Sequence, residues 1–395
     1  MSTEAVPTSQ IAQDDRFQSD RVLTIAAAHT AHDLYTSFLP ALLPVFISKL
    51  ALSTMQAGTL TVFLQWPSLL QPFIGHLADR ISLRYLVILA PAVTAIFMSC
   101  LGLAPSYAVM ALMLVVVGFS TASLHAVGPV MAGRLSGRNL GRGMGYWMVG
   151  GELAYTIGPI LIVSAVRLLG LEGTAWLLVA GVAASVMLYV RLRDVPGQPA
   201  ETTEPLPWRQ AVRSMGPTLK PLAGIVILRA FVIAALVTYL PTFLTREGTN
   251  LWVAGASLSL FQAGGIAGAS LGGSMSDRLG RRSVLVVSLI ATAALMAVFL
   301  SVAGWVRFLC LLLLGFAVSG AFPVLLALVQ ESFPANRALA HGIFMAMNFT
   351  TESAAVVAMG AAGDLVGLPV AYIGSAVAPL LCLPLALWLP IKPRQ

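Results

Sequence analysis

Apolar runs separated by short polar segments fill this chain from residue 21 onward. A helix needs about 20 such residues to cross roughly 30 Å of hydrocarbon, where every backbone N–H and C=O must be satisfied within the protein. Runs of that length fall near 22–48, 54–78, 84–104, 107–133, 142–167, 173–191, 221–245, 252–275, 283–303, 307–331, 338–363 and 368–390. They predict an all-α integral membrane protein with twelve transmembrane helices. Residues 1–20 are polar and lack the basic start and small-residue cleavage site of a signal peptide, so the first run is expected to stay as a span.

The longest polar, Pro-rich interruption, residues 192–220, divides the spans six and six. The halves share short segments in the same order: "GHLADRISLRY" (75–85) with "GSMSDRLGRRS" (273–283), "SFLPALL" (37–43) with "TYLPTFL" (238–244), "VGF" (117–119) with "LGF" (314–316), and "RNLGRG" (138–143) with "RALAHG" (337–342). Four ordered pairs at a nearly constant offset indicate a duplication. The expected organisation is a cytoplasmic tail (1–20), a six-helix bundle (21–191), a cytoplasmic linker (192–220), a second six-helix bundle (221–391) and a short cytoplasmic tail (392–395).

Composition agrees, with 58% hydrophobic and 10% charged residues and a mean hydropathy of +0.87. The net charge of +7 first suggests a nucleic-acid partner. With both termini inside, however, only Lys49, Arg167, Arg246 and Arg307 fall outside and Arg229 within a span, while every other Lys and Arg lies on the inner side. The basic excess therefore reports orientation in a cell membrane and contact with lipid, not nucleic acid. Cys100, Cys310 and Cys382 sit in or at the ends of separate spans and read as small apolar residues.

The paired loops are the sharpest local motif. Gly75 or Gly273 permits close helix approach, Asp79 or Asp277 stands at a helix end, and Arg80, or Arg278, Arg281 and Arg282, face the inner leaflet. Such an acid with its arginines makes a charge-assisted latch that breaks when the halves rock. "GSMSDRLGRRS" resembles the loop motif of the major facilitator superfamily; the first-half loop departs from it at Ile81, Ser82 and Leu83. The chain after residue 21 also resembles the fosmidomycin-resistance branch, through "HTAHDLYTSFLPALLP" (29–44), "PSLLQPFIGHLADR" (67–80), residues 123–161 and "VQESFPANRALAHGIF" (329–344). The resemblance implies the major facilitator fold of two pseudo-symmetric six-helix bundles. It also implies a central cavity lined by spans one, four, seven and ten, joined by two, five, eight and eleven, and proton-driven export of small molecules.

Glycines stripe two spans. Gly143, Gly150, Gly151 and Gly158 recur along one face of the fifth, ahead of Pro159, which is expected to kink the helix. Gly264, Gly268 and Gly272 form a small-xxx-small stripe on the eighth, read as packing.

Asp33, Glu152, Arg229 and Glu352 lie well inside spans, where an unpaired charge costs at least about 2.5–3.5 kcal/mol. They occupy counterpart spans, Asp33 with Arg229 and Glu152 with Glu352. Arg229 is thus a candidate partner for Asp33, and a buried pair that only fixes packing stays open as an alternative. His29 and Asp33 share a face at i, i+4 and are expected to relay protons. Glu152, Arg229, Glu352, His32, His125, Gln65, Tyr155, Gln262 and Asn348 are the expected substrate-binding groups. For His32 packing is an equal reading, and for His125 a plain hydrogen-bonding role is favoured. A metal site is not expected: His29 and His32 stand about 60° apart on a helix, and no cysteine accompanies them.

No Walker A, HExxH or G-x-S-x-G sequence occurs. Neither an enzyme nor a cofactor is expected. The sequence predicts a monomeric secondary transporter exchanging a small organic compound for protons, most readily as efflux. Proton-coupled uptake of an organic anion is the alternative, and a non-transporting membrane scaffold or sensor the alternative of another class.

Overall fold

The computed structural model describes residues 17–71, 73–74, 83–136, 140–194, 208–332 and 337–389, and no strand occurs among them. Nine helical segments among these residues are long and apolar enough to cross a membrane; one, Gly145–Leu192, runs through two successive helices.

The first predicted span is two helices, α1 (Ser19–Thr36) and α2 (Phe38–Leu50). Pro40 cannot donate to the Thr36 carbonyl one turn back, and at the same break the hydroxyls of Thr36 and Ser37 turn onto the Asp33 and Leu34 carbonyls of their own helix at 2.9 and 2.7 Å. Its counterpart breaks at the same place: α8 (Trp208–Ile233) passes through a π turn (Ala234–Thr238) into α9 (Leu240–Arg246), which opens on Pro241. The duplicated "LP" therefore encodes a duplicated break, just past the level of Asp33 in the first half. α8 also begins inside the segment assigned to the linker.

Between these breaks run α3 (Thr54–Gln65), α4 (Arg84–Ser99), α5 (Tyr107–Leu135), α6 (Leu140–Gly173) and α7 (Leu178–Leu192). The second half continues with α10 (Leu251–Leu279), α11 (Arg281–Ser301), α12 (Trp305–Ser332), α13 (Arg337–Leu365) and α14 (Leu368–Trp388). In α6 helical dihedrals continue through Pro159, and the non-helical residue is Gly170, with φ 74°. That interruption lies just past the fifth predicted span, at a residue that tolerates positive φ.

The tightest packing joins α10 to α12. A Cβ at Gly264, Gly268 or Gly272 would run into the backbone of Leu312, Phe316 or Gly320, as the packing reading of this stripe expects. Gly264→Ala is expected to destabilise the second half by about 1–3 kcal/mol, read as a lowered melting temperature in detergent. An unchanged melting temperature would show that α12 can yield.

The halves meet chiefly along two helix pairs, α6 with α10 and α3 with α13, and α2 also packs on α9. In the first, the N–H of Ile160 donates to Ser259 Oγ at 3.2 Å, and Trp252 Nε1 donates to Ser164 Oγ at 3.0 Å. Within the halves, α1 packs on α5 and α8 on α13.

Candidate functional site

Asp33 is buried with both carboxylate oxygens engaged by histidines. His32 Nδ1 lies 2.7 Å from Oδ1; His29 Nε2 and His125 Nε2 lie 3.0 and 3.5 Å from Oδ2. The His29 and His125 Nε2 atoms are 3.2 Å apart. Carbonyls fix the far side of both rings: His29 Nδ1 is 2.9 Å from the Trp147 oxygen, and His125 Nδ1 is 2.9 Å from the Thr121 oxygen. The His29 ring stacks on the Trp147 indole, centroids 3.8 Å apart, and backs onto Gly151, where any Cβ would meet it. The glycine face of α6 therefore serves the site as well as packing: Gly150 and Gly158 let α6 approach the α1 backbone.

This arrangement corrects the expected Asp33–Arg229 pair. Three histidines occupy the Asp33 oxygens, and the Arg229 guanidinium instead donates to the Val318 carbonyl on α12 at 3.0 Å. His32 and His125, expected among the substrate-binding groups with packing or a plain polar role as the other reading, both belong to the Asp33 cluster.

A second group lies between the halves. Glu152 feels the charges of His29 and Asp33, Tyr155 those of Asp33, Glu152 and Glu352, and Arg229 that of Glu352. All four are half-buried. The Tyr155 hydroxyl accepts a 3.4 Å bond from Thr36, at the break in the first span. Among the described residues neither Glu152 nor Glu352 has a side-chain hydrogen bond or ion pair. Gln65 accepts a bond from Ser353 across the halves at 3.2 Å. Asn348 donates to Phe344 within its own helix, and Gln262 is half-buried with no bonded partner among the described residues.

At the end assigned to the outer face, the second half clamps the start of α3. Asp364 accepts from the N–H groups of Thr54 and Met55 at 2.6 and 2.9 Å. Arg246 donates to Thr54 Oγ1 at 2.7 Å, and the Tyr239 hydroxyl bridges the carbonyls of Thr54 and Val356. The first free N–H groups of a helix carry its positive dipole end, so an acid there is a good latch.

Residues 25–273 and 253–395 match the Major Facilitator Superfamily. The chain belongs to this superfamily. It is 26% identical over 378 residues to the fosmidomycin resistance protein of Escherichia coli (strain K12), covering 93% of this chain and 91% of that one. It is also 26% identical over 374 residues to the MFS-type transporter YfnC of Bacillus subtilis (strain 168), covering 91% and 90%. Solved structures share the fold. A bacterial homologue of the human lysosomal transporter Spinster, inward-facing and occupied, aligns with a TM-score of 0.75 at 16% identity, covering 94% of this chain and 96% of that one. The nucleoside transporter NupG aligns with a TM-score of 0.70 at 16% identity, covering 94% and 99%.

Superfamily membership and the apolar helices make this a multi-pass membrane transporter of small molecules. The family's inner loop is described in part. Arg281 donates to the Gly273 carbonyl at 3.4 Å and to Ser276 Oγ, and Arg282 donates to the Leu389 carbonyl at 2.8 Å. Arg278 is exposed on the last turn of α10. Gly75, Asp79, Arg80 and the side chain of Asp277 lie outside the described residues.

Sequence reasoning passed over Trp147, Asp364, Thr54 and Tyr239. Asp364 carried the one available signal, an acid directly after the eleventh predicted span. The others act through ring stacking, backbone or hydroxyl positions that only the fold brings into place.

Proposed function

We propose that this transporter exports a small organic compound in exchange for protons. The observation that carries the reading is the pair of acids Glu152 and Glu352, on repeat-related helices, between the halves and without fixed partners among the described residues. An acid at bilayer depth is tolerated when it holds a proton or meets a counter-charge. Two such acids flanking Tyr155, with Arg229 beyond Glu352, give a centre at which proton and substrate exclude one another. The likeness to a protein named for fosmidomycin resistance supports export. The relay expected at Asp33 and His29 enters as a second position for the proton, tested separately by Asp33→Asn. Half-buried Tyr155, Gln262 and Arg229 are the groups proposed to meet substrate.

The test begins with a thermal-shift screen of the purified protein against metabolites and antibiotics, since ligand at 100 times its Kd stabilises by about 2.7 kcal/mol. A compound found in this way is then added to proteoliposomes containing a trapped pH dye. Export by exchange predicts proton flux opposite in direction to the compound, abolished by Glu352→Gln. Co-directional flux would establish uptake instead, and no flux for any stabilising compound would leave a scaffold or sensor.

A further inference from the structure

We propose that His29, Asp33 and His125 form a binding site for a divalent transition cation of the Zn²⁺ or Co²⁺ type, with a fourth coordination position open beside His125.

The argument begins with tautomers. A carbonyl oxygen only accepts, so the Trp147 and Thr121 oxygens assign the ring proton of His29 and of His125 to Nδ1. In the neutral rings each Nε2 then presents a lone pair, and both point at Asp33 Oδ2. Three acceptor atoms thus converge with no donor among them, and a proton on either ring bridges only two of the three. A metal ion satisfies all three at once.

The spacing fits such an ion. The triangle of donor atoms has sides of 3.0, 3.2 and 3.5 Å. Tetrahedral zinc with bonds of about 2.0–2.1 Å to nitrogen and oxygen sets its ligands roughly 3.3–3.4 Å apart. The cluster is already within a few tenths of an ångström of one tetrahedral face.

The surroundings match what metal ligands require. Each imidazole donates its other N–H to a backbone carbonyl, which fixes ring orientation. His32 Nδ1 donates to Asp33 Oδ1, leaving Oδ2 for the ion. Trp147 stacks on the His29 ring, and Gly151 leaves room for the ring's Cε1 edge. The donors come from α1 and α5, so an ion would also tie those two helices together. Side-chain exposure is 6% at His29, 2% at Asp33 and 28% at His125. The approach is therefore on the His125 side, where water or an electron-rich group of a substrate completes the coordination. The first helix alone offers histidines about 60° apart with no cysteine beside them; His125, from α5, supplies the further donor.

The full chain, purified without a histidine tag and stripped with chelator, is titrated with Zn²⁺ by calorimetry in the absence of substrate. One saturable site per chain is expected. His125→Gln should weaken it by at least about tenfold to a hundredfold, whereas the double variant His76→Gln with His341→Gln, which leaves His29, His32 and His125 as the chain's remaining histidines, should bind like wild type. Co²⁺ should quench tryptophan emission, and Trp147→Phe should lose most of that quench while Zn²⁺ still binds. Because His125 is partly exposed, its variant is expected to fold, and an unaltered melting temperature of the stripped protein confirms this. Absence of saturable binding, or equal affinity in His125→Gln and wild type, overturns the site. These readouts involve no transport, so they stand or fall separately from the exchange reaction.

Discussion

Replacing Asp364 with alanine is expected to open the end of the transporter at which α3 meets α13. The carboxylate is the only acid accepting from the first free N–H groups of α3 among the described residues, and it does so from the opposite half of the protein. Helix α3 keeps its own cap, Ser53 with Gln56, whether or not the halves touch. Loss of Asp364 therefore leaves the helix intact and removes only the bond between halves. A carboxylate at a largely exposed helix N-terminus contributes about 1–2 kcal/mol. That corresponds to a shift of roughly five- to thirtyfold between the closed and open forms. Spin labels at the exposed positions Val109 and Leu365, one on each half, should show a longer distance population in Asp364→Ala, and raised salt should move the wild type the same way. Arg246→Ala should produce a smaller shift, because its partner is the Thr54 hydroxyl and not a charge. An unchanged distance distribution in Asp364→Ala would show that packing around Tyr239 alone closes this end.

The duplicated architecture was legible because each of its signals is local. Apolar runs report spans, "SFLPALL" and "TYLPTFL" carry prolines that break a helix wherever it sits, and the glycine stripe of α10 repeats at helical spacing. Asp33 and His29 were legible for the same reason, since i, i+4 on a helix needs no tertiary knowledge. Partners across helices were not. The repeat supplied Arg229 as the counterpart of Asp33, but symmetry relates helix positions and not the direction or reach of side chains. Only the packing of α5 on α1 shows that His125 reaches Asp33, and only that of α8 beside α12 shows where Arg229 turns. Asp364 escaped for a related reason. Its role is to meet backbone N–H groups, and backbone donors leave no mark in a sequence.

Glu352→Gln is expected to abolish proton exchange while leaving the protein folded and able to bind its compound. Glutamine keeps the shape of the side chain but cannot ionise, so it can stand in for the protonated acid only. Removing a potential charge from this depth also removes its transfer cost, which is at least about 2.5 kcal/mol for acids at a helix centre. The melting temperature should thus hold or rise, and a loss of flux cannot then be ascribed to unfolding. Glu152→Gln should act in the same direction, but with part of the exchange surviving if Asp33 and His29 also carry protons. Arg229→Gln tests the other side of the pair: it removes the positive charge that favours the ionised form of Glu352, and so should raise the pH at which exchange is half-maximal. Compound-driven proton flux and ligand-induced thermal shift, measured on the same preparations, separate coupling from binding. If Glu352→Gln retained wild-type proton flux, the central acids would be excluded as the coupling groups, and Asp33→Asn would become the deciding variant.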